Sequence, residues 1–80
     1  MTDEEIRAAV LRVVGEVAPE ASQARIDPDK SLRDQLDLDS MDVLNIMIGL
    51  HEALHVDIPE MDYPKLATVN DAVAYLSQRK

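Results

Sequence analysis

The chain has no cysteine, phenylalanine or tryptophan, and only two tyrosines among its 80 residues. Without cysteine it cannot form a disulfide, which fits a reducing compartment. Its apolar content is almost entirely aliphatic, and this favours packed helices over a β-sandwich. A chain of this length buries only about 60% of the surface that its unfolded form exposes, so there is little room for a deep catalytic cleft. We therefore predict an all-α fold in a single domain over residues 1–80.

Lysine and arginine are absent between Asp34 and Pro64, although eight of the chain's 16 acidic residues lie there. The remaining eight acids are balanced by all eight basic residues, so this segment accounts for the whole net charge of −8. A surface that carries only negative charge predicts a partner with a positively charged surface. It argues against binding to nucleic acid or anionic membranes, which requires Lys and Arg. The N-terminus is acidic and no apolar run is long enough to span a membrane, so we expect a soluble cytoplasmic protein.

The apolar residues recur at helical spacing in three long stretches. Thr2 and Glu5 have the spacing of a capping box, and Pro19 limits the first helix to about residues 3–18. The second helix should cover about residues 40–55, and the last should begin after Thr68. The positions expected in the core are Ile6, Val10, Val13, Val17, Ile26, Leu32, Leu36, Val43, Ile46, Met47, Leu50, Leu54, Val69, Val73 and Leu76. Residues 61–66 should form a short irregular turn, so the pattern predicts a small helical bundle with three main helices and a long first loop.

The helix predicted over residues 40–55 is apolar on two sides. Met41, Leu44 and Ile48 recur at i, i+3 and i+7, well around the helix from the core face, and Asn45 and Glu52 border them. Either the long loop covers this second side or a partner does. A small domain has little chain to spare for wrapping, so we interpret these three residues, called the docking stripe below, as a surface for a partner.

Asp39 and Ser40 compete to cap the start of this helix. If Asp39 is the cap, Asp42 takes the third helical position, where the helix dipole favours a carboxylate. Ser40 then takes the first position with its hydroxyl unengaged, a place that suits a phosphodiester. If Ser40 is the cap, it needs no other role. The two alternatives stay open at the level of the residues.

Residues 36–42 read LDLDSMD and are followed by an apolar helix and the segment VDIP, a pattern that resembles the acyl carrier protein family. The family's motif is a Leu-Gly-x-Asp-Ser-Leu turn at the start of its recognition helix, and the likeness covers essentially the whole chain. It implies a small four-helix bundle with three main helices, a short third helix and a long first loop. The resemblance implies that Ser40 carries 4′-phosphopantetheine, transferred from coenzyme A by a phosphopantetheinyl transferase. The thiol of that arm would hold an acyl or aminoacyl group as a thioester, and the protein itself would have no catalytic activity.

The resemblance also implies roles for the residues around Ser40. Asp39 would orient the turn for the transferase. The implied partner-binding residues are Met41, Asp42, Leu44, Asn45, Ile48 and Glu52. The partners would be the transferase, a ligase that loads the acyl or aminoacyl group, and downstream transferases or synthases with basic docking patches. We expect the carrier to be a monomer.

Four residues depart from the usual pattern of the family. Asp37 stands where the family usually has glycine, and Met41 where leucine is commonest. Asn45 and His51 occupy positions that carriers of fatty acids tend to make acidic. These differences favour a specialised pathway, and an Asp-Ser-Met turn is also found in carriers of amino acids. Fatty acid, polyketide and aminoacyl biosynthesis all remain open.

Two other functions compete with that of a carrier, namely a zinc enzyme and an unmodified interaction module. Residues 51–55 spell HExxH, the helical zinc motif, but the chain has no third histidine and no room for a substrate cleft, so we predict no metal site. The other is an unmodified acidic helical module in which the docking stripe alone binds a basic partner.

Overall fold

The computed structural model describes residues 1–20 and 25–79, and every regular element in these ranges is a helix. The elements are α1 (Asp3–Val17), α2 (Leu32–Gln35), α3 (Ser40–Leu54), a 3₁₀ helix (Glu60–Leu66) and α4 (Val69–Arg79). The predicted all-α fold is therefore confirmed, and the 3₁₀ helix is the short third helix. Only α2 was not predicted. None of the helices in the described ranges has both the length and the apolar content needed to cross a bilayer.

The capping box predicted at the start of α1 is present. Glu5 N donates to Thr2 Oγ1 at 3.2 Å, and Thr2 N donates to Glu5 Oε1 at 2.9 Å. Behind it, the residues that α1 buries are Ile6, Val10, Val13 and Val14. Val17 was also predicted to lie in the core, but this last residue of the helix is only half-buried. Contacts from α1 reach both α3 and α4, so α1 forms the centre of the bundle.

Gly49 allows α1 and α3 to approach closely. A Cβ atom at Gly49 would lie 2.7 Å from Val13 Cγ1, and Val13 is buried and branched at Cβ, so it has little freedom to move away. This glycine accordingly helps to set the distance between α3 and the rest of the bundle.

We expect Gly49→Ala to lower the free energy of unfolding by about 1 kcal/mol. Overpacking lowers the free energy of unfolding by about 1–3 kcal/mol, and the better helix propensity of alanine raises it by up to about 1 kcal/mol. Gly15→Ala is the matched control, because Gly15 lies inside α1 and is half-exposed, and it should raise stability through propensity. Urea denaturation of both variants measures the difference. Equal stabilisation by the two substitutions would contradict the close approach at Gly49.

The described part of the long loop is packed and hydrogen-bonded. Ile26 and Leu32 are buried as predicted, and Leu38 is buried as well. Leu32 N donates to the Ala67 carbonyl at 2.9 Å, which ties α2 to the residues just before α4. Leu36, predicted as an anchor, is half-buried as the residue that ends α2. These contacts hold the turn that precedes α3 on the core.

Asp37 has a positive φ of 53°, a left-handed conformation that glycine adopts without steric cost. The glycine that the resemblance implies at this position would suit this geometry. Aspartate tolerates the left-handed region better than most residues, so this chain can make the same turn. The turn that leads into Ser40 thus contains a left-handed residue although glycine is absent from it.

Candidate functional site

Asp39 caps α3, which resolves the choice between Asp39 and Ser40. Asp42 N donates to Asp39 Oδ1 at 2.8 Å, and Asp39 N donates to Asp42 Oδ2 at 3.2 Å. The two aspartates thus form a reciprocal capping box in which each satisfies a backbone N–H that the first turn leaves unpaired. The carboxylate of Asp42 has a structural role in addition to the partner-binding role predicted for it.

Ser40 is the first residue of α3 and is exposed. Its hydroxyl makes no hydrogen bond with any residue in the described ranges, because Asp39 already serves as the cap. The backbone N–H groups at this end of α3 point outward, and the helix dipole makes this end electropositive. An exposed hydroxyl in this place fits a phosphodiester, since the helix start stabilises its negative charge.

The docking stripe is exposed, and the other side of α3 is buried. The exposed fractions are 61% for Met41, 36% for Leu44 and 44% for Ile48. On the core side, the residues that α3 buries are Ile46, Met47, Leu50 and Leu54, whereas Val43 is half-buried. The two-sided apolar pattern seen in the sequence is therefore real, and the described part of the long loop does not cover the stripe.

Polar residues border the docking stripe as predicted. Asn45 and Glu52 are exposed, while Asp42 is half-buried at the helix start. Asn45, Glu52 and Ile48 also line a shallow groove of about 430 Å³ between α3 and α1. On the α1 side of this groove Arg12 is paired with Glu16 at 3.3 Å. The stripe thus lies between this groove and a second one described below.

Asp62 is buried, so it contributes little to the acidic surface predicted from the sequence. Its carboxylate accepts a hydrogen bond from the Tyr75 hydroxyl at 2.6 Å and pairs with Lys65 at 3.3 Å and Arg79 at 3.4 Å. The guanidinium of Arg79 also lies 4.4 Å from the centre of the Tyr75 ring. Both basic residues are outside the acidic segment in the sequence, so no pattern there predicted this cluster. Seven acids of the segment remain at the surface.

The hydrogen bond between Tyr75 and Asp62 shifts both pKa values. The Tyr75 hydroxyl holds the pKa of Asp62 below its ordinary value, and the two nearby cations act in the same direction. Burial raises the pKa of Tyr75, and its bond to the Asp62 carboxylate raises it further. The bond therefore stabilises the fold most when Asp62 is ionised and Tyr75 is protonated.

We expect Tyr75→Phe to lower the free energy of unfolding by about 1 kcal/mol at neutral pH, which corresponds to about 4–8 °C in Tm. The lowered pKa of Asp62 contributes stability above its ordinary value of about 4, and this is lost as the pH falls through the folded pKa. The raised pKa of Tyr75 contributes stability below about 10, and this is lost as the pH rises through the folded value. Thermal denaturation from acid to alkaline pH measures the difference, which should be largest near neutrality. A pH-independent difference would contradict it.

The HExxH residues are arranged as the end of a helix. His51 Nδ1 lies 2.9 Å from the Val56 carbonyl oxygen and 3.7 Å from Asp57 Oδ1. His55 is the C-cap residue of α3, with a φ of 55°. Because the Nδ1 atom of His51 already bonds the backbone, this ring helps to turn the chain after α3. In the described ranges, no group of three or more metal-ligating side chains is placed to hold an ion.

A second groove, of about 360 Å³, runs between α3 and the segment that leads into the 3₁₀ helix. It is lined by Met47, Ile48, His51, Asp57, Ile58, Pro59 and Tyr63. Ile48 belongs to the docking stripe, so the stripe and this groove are continuous. The sequence did not indicate the groove, because its two walls are separate in the chain and the intervening turn brings them together.

This chain is similar to a known protein family, to several named proteins and to a solved structure. A family model described as "Phosphopantetheine attachment site" matches residues 4–76. The acyl carrier protein of Renibacterium salmoninarum is 38% identical over 79 residues, which cover 95% of this chain and 93% of that protein. The meromycolate extension acyl carrier protein of Mycobacterium tuberculosis is 36% identical over 78 residues, covering 98% of this chain and 67% of that protein. A solved acyl carrier protein from Enterococcus faecalis shares the fold, with a TM-score of 0.83, 24% identity and full coverage of both chains.

Proposed function

The chain belongs to the acyl carrier protein family, and from this premise we propose that Ser40 is the residue that bears its 4′-phosphopantetheine arm. Members of this family carry acyl groups on a covalently attached cofactor and do not catalyse reactions themselves. The chain is therefore a carrier and not an enzyme. The thiol of the arm supplies the chemistry, which is to hold a carboxylic acid as a thioester. The tasks of the protein are to present the arm and to be recognised by the enzymes that load and unload it.

One observation carries the assignment of Ser40. Asp39, and not Ser40, caps α3, so the Ser40 hydroxyl is exposed and makes no hydrogen bond with a described residue. The other serines that the structure describes are engaged: Ser31 Oγ accepts from Asp34 N at 3.3 Å, and Ser77 Oγ donates to the Ala74 carbonyl at 3.1 Å. Ser40 is thus the described serine best placed to enter the active site of a transferase.

Attachment would proceed by nucleophilic substitution at phosphorus. Ser40 Oγ attacks the β-phosphorus of coenzyme A, a new P–O bond forms, and the bond to adenosine 3′,5′-bisphosphate breaks. A base on the transferase accepts the hydroxyl proton. The start of α3 would hold the resulting phosphodiester, because the helix dipole favours a negative charge there. In this proposal Asp39 acts through the capping box, which fixes the turn that presents Ser40.

The partner surface would combine the docking stripe with the acids around it. Met41, Leu44 and Ile48 supply apolar contact beside Ser40, while Asp42 and Glu52 attract basic patches and Asn45 contributes a neutral polar border. Charge complementarity of this kind mainly speeds encounter and sets orientation. A carrier benefits because it must bind several enzymes briefly. The partners would be the transferase, a loading ligase and downstream transferases or synthases.

The proposal covers an acyl or aminoacyl cargo and a specialised biosynthetic pathway. It also takes residues 1–80 as one functional domain that acts as a monomer in the cytoplasm, where coenzyme A is available as the donor of the arm. The departures at Asn45 and His51 support a specialised pathway. They leave the docking stripe with fewer acids beside it than a carrier of fatty acids usually has.

The test is the intact mass of the purified chain after incubation with coenzyme A and a phosphopantetheinyl transferase of broad specificity. We expect one added phosphopantetheinyl group, and fragmentation of the modified peptide should place it on Ser40. No added mass would favour the unmodified interaction module. An added group on Ser22, Ser31 or Ser77 would refute the assignment of Ser40 and leave the family unaffected.

A further inference from the structure

The groove between α3 and residues 57–63 has apolar walls and a polar end. Met47 and Ile48 form the α3 wall, and Ile58 and Pro59 form part of the facing wall. His51 belongs to the lining one turn beyond Met47, so its ring adds a polar group to an otherwise apolar wall. An apolar groove with a few polar groups is the usual form of a small-molecule site, in which the polar groups select the ligand.

His51 presents a hydrogen-bond acceptor in its neutral form. Its Nδ1 atom lies 2.9 Å from the Val56 carbonyl oxygen, which can only accept, so Nδ1 carries the proton. In a neutral imidazole the Nε2 atom is then an acceptor. Nε2 has no partner among the described residues, and 53% of the side chain is accessible. A ligand in the groove can therefore donate a hydrogen bond to it.

Two further polar groups lie on the same groove. The Asp57 carboxylate is 98% exposed and is 3.7 Å from the His51 ring. Tyr63 is half-buried, and its hydroxyl makes no hydrogen bond with a described residue. The carboxylate and the imidazole both accept, and the groove lining includes no Lys or Arg. A neutral alkyl chain would leave these groups unused, and a cargo with its own carboxylate would be repelled.

We infer that His51 and Asp57 are specificity-determining residues for the cargo, and that the groove selects an acyl group that bears an amine. The amine of an aminoacyl cargo would donate to His51 Nε2 and approach the Asp57 carboxylate, while its side chain packs on Ile48 and Ile58. This inference rests on the proposed function, because the cargo reaches the groove on the arm at Ser40. It goes further by naming the chemical class of the cargo and the residues that read it.

The arm at Ser40 can deliver a cargo to this place. Ser40 and His51 lie at opposite parts of α3, separated by 11 residues and hence by about 16 Å along the helix axis. An extended phosphopantetheine arm spans a distance of this order. The groove shares Ile48 with the docking stripe, so a partner bound to the stripe would lie beside the cargo.

The experiment compares two cargos that differ only in the amine. Leucyl and 4-methylpentanoyl groups are installed on the carrier from coenzyme A analogues whose sulfur is replaced by NH, so that the linkage is a stable amide. Methyl NMR spectra then report the shifts at Ile48 and Ile58 relative to the carrier with an empty arm. We expect the leucyl group to shift these signals about threefold more than the 4-methylpentanoyl group does. A single exposed charge-assisted hydrogen bond would give a difference of this size.

Two pairs of variants test whether His51 and Asp57 cause the difference in methyl shifts between the leucyl and the 4-methylpentanoyl group. Asp57→Asn should reduce this difference to near zero. Glu60→Gln is its control, because it removes a nearby exposed acid that does not line the groove, and it should leave the difference unchanged. His51→Asn should likewise abolish it, and His55→Asn should not. Circular dichroism checks that each variant keeps its helicity, and Asp57→Asn preserves the bond between His51 and Val56.

The outcomes separate this inference from the proposed function. Equal shifts from the two cargos, or shifts from neither, would overturn the inference while the added mass still supports the carrier. Discrimination that survives both Asp57→Asn and His51→Asn would also overturn it. If no group can be attached at all, the proposed function fails and the inference fails with it.

Discussion

Replacing Ser40 by alanine is expected to abolish attachment of the arm completely while leaving the fold intact. The hydroxyl oxygen of Ser40 is the proposed nucleophile, and alanine has no atom that can replace it. The helix itself should be unaffected, because Asp39 and Asp42 form the capping box. We expect the free energy of unfolding to change by less than about 0.5 kcal/mol, as for most exposed positions. Intact mass and thermal denaturation measure the two effects.

Ser31→Ala is the matched control for this prediction. Ser31 caps α2 through its side chain, which accepts from Asp34 N at 3.3 Å. Its loss should cost about 1 kcal/mol of stability and leave attachment unchanged. The two serines are therefore expected to show opposite phenotypes, one chemical and one structural. Full modification of Ser40→Ala would show that the arm is attached elsewhere.

Leu44→Asp is expected to lower the kcat/KM for arm attachment by about tenfold or more, because it places a charge in the centre of the docking stripe. Leu44 is 36% exposed on the side of α3 that faces away from the core. The variant should keep its helicity, since the carboxylate can remain in water. The measurement is the initial rate of modification by the transferase at several carrier concentrations, together with circular dichroism.

Two variants on the same helix serve as controls. Leu50 is only 1% exposed, so Leu50→Asp should unfold the chain and show what the same change does in the core. Asn45→Asp adds a negative charge beside the docking stripe without removing apolar surface. It should leave the rate unchanged or raise it, because partners with basic patches are steered by acids. An unchanged rate for Leu44→Asp would exclude the stripe as the docking surface, and loss of its helicity would place Leu44 in the core.

Local rules in the sequence were sufficient for the main helices and for the residues that cap them. Thr2 with Glu5, Asp39 with Asp42 and Thr68 with Asp71 all form the side-chain caps that their spacing indicated. Capping depends on residues three apart, and amphipathic periodicity depends on one helix, so neither needs the rest of the fold. For this reason the bounds of α3 and the two apolar sides of that helix could be predicted closely.

Contacts between distant segments were outside the reach of these rules. The pairing of Asp62 with Tyr75 and Arg79 joins residues 13 and 17 positions apart, and it removes one acid from a surface that the sequence counted as uniformly exposed. The groove lined by His51, Ile58 and Tyr63 depends on how the chain turns after α3. Residues 51–55 look like a zinc motif in the sequence, whereas in the fold His51 bonds the backbone of that turn.

The sequence by itself therefore determined the class of fold, the start of α3, the separation of its core side from the docking stripe, and the family. These features follow from spacing within single helices and from a short motif. Only the tertiary structure decided that the described part of the loop leaves the stripe exposed and that a polar-ended groove lies next to it. Each of these depends on which segments pack against one another, because burial and hydrogen bonding between distant residues arise only when the core has formed.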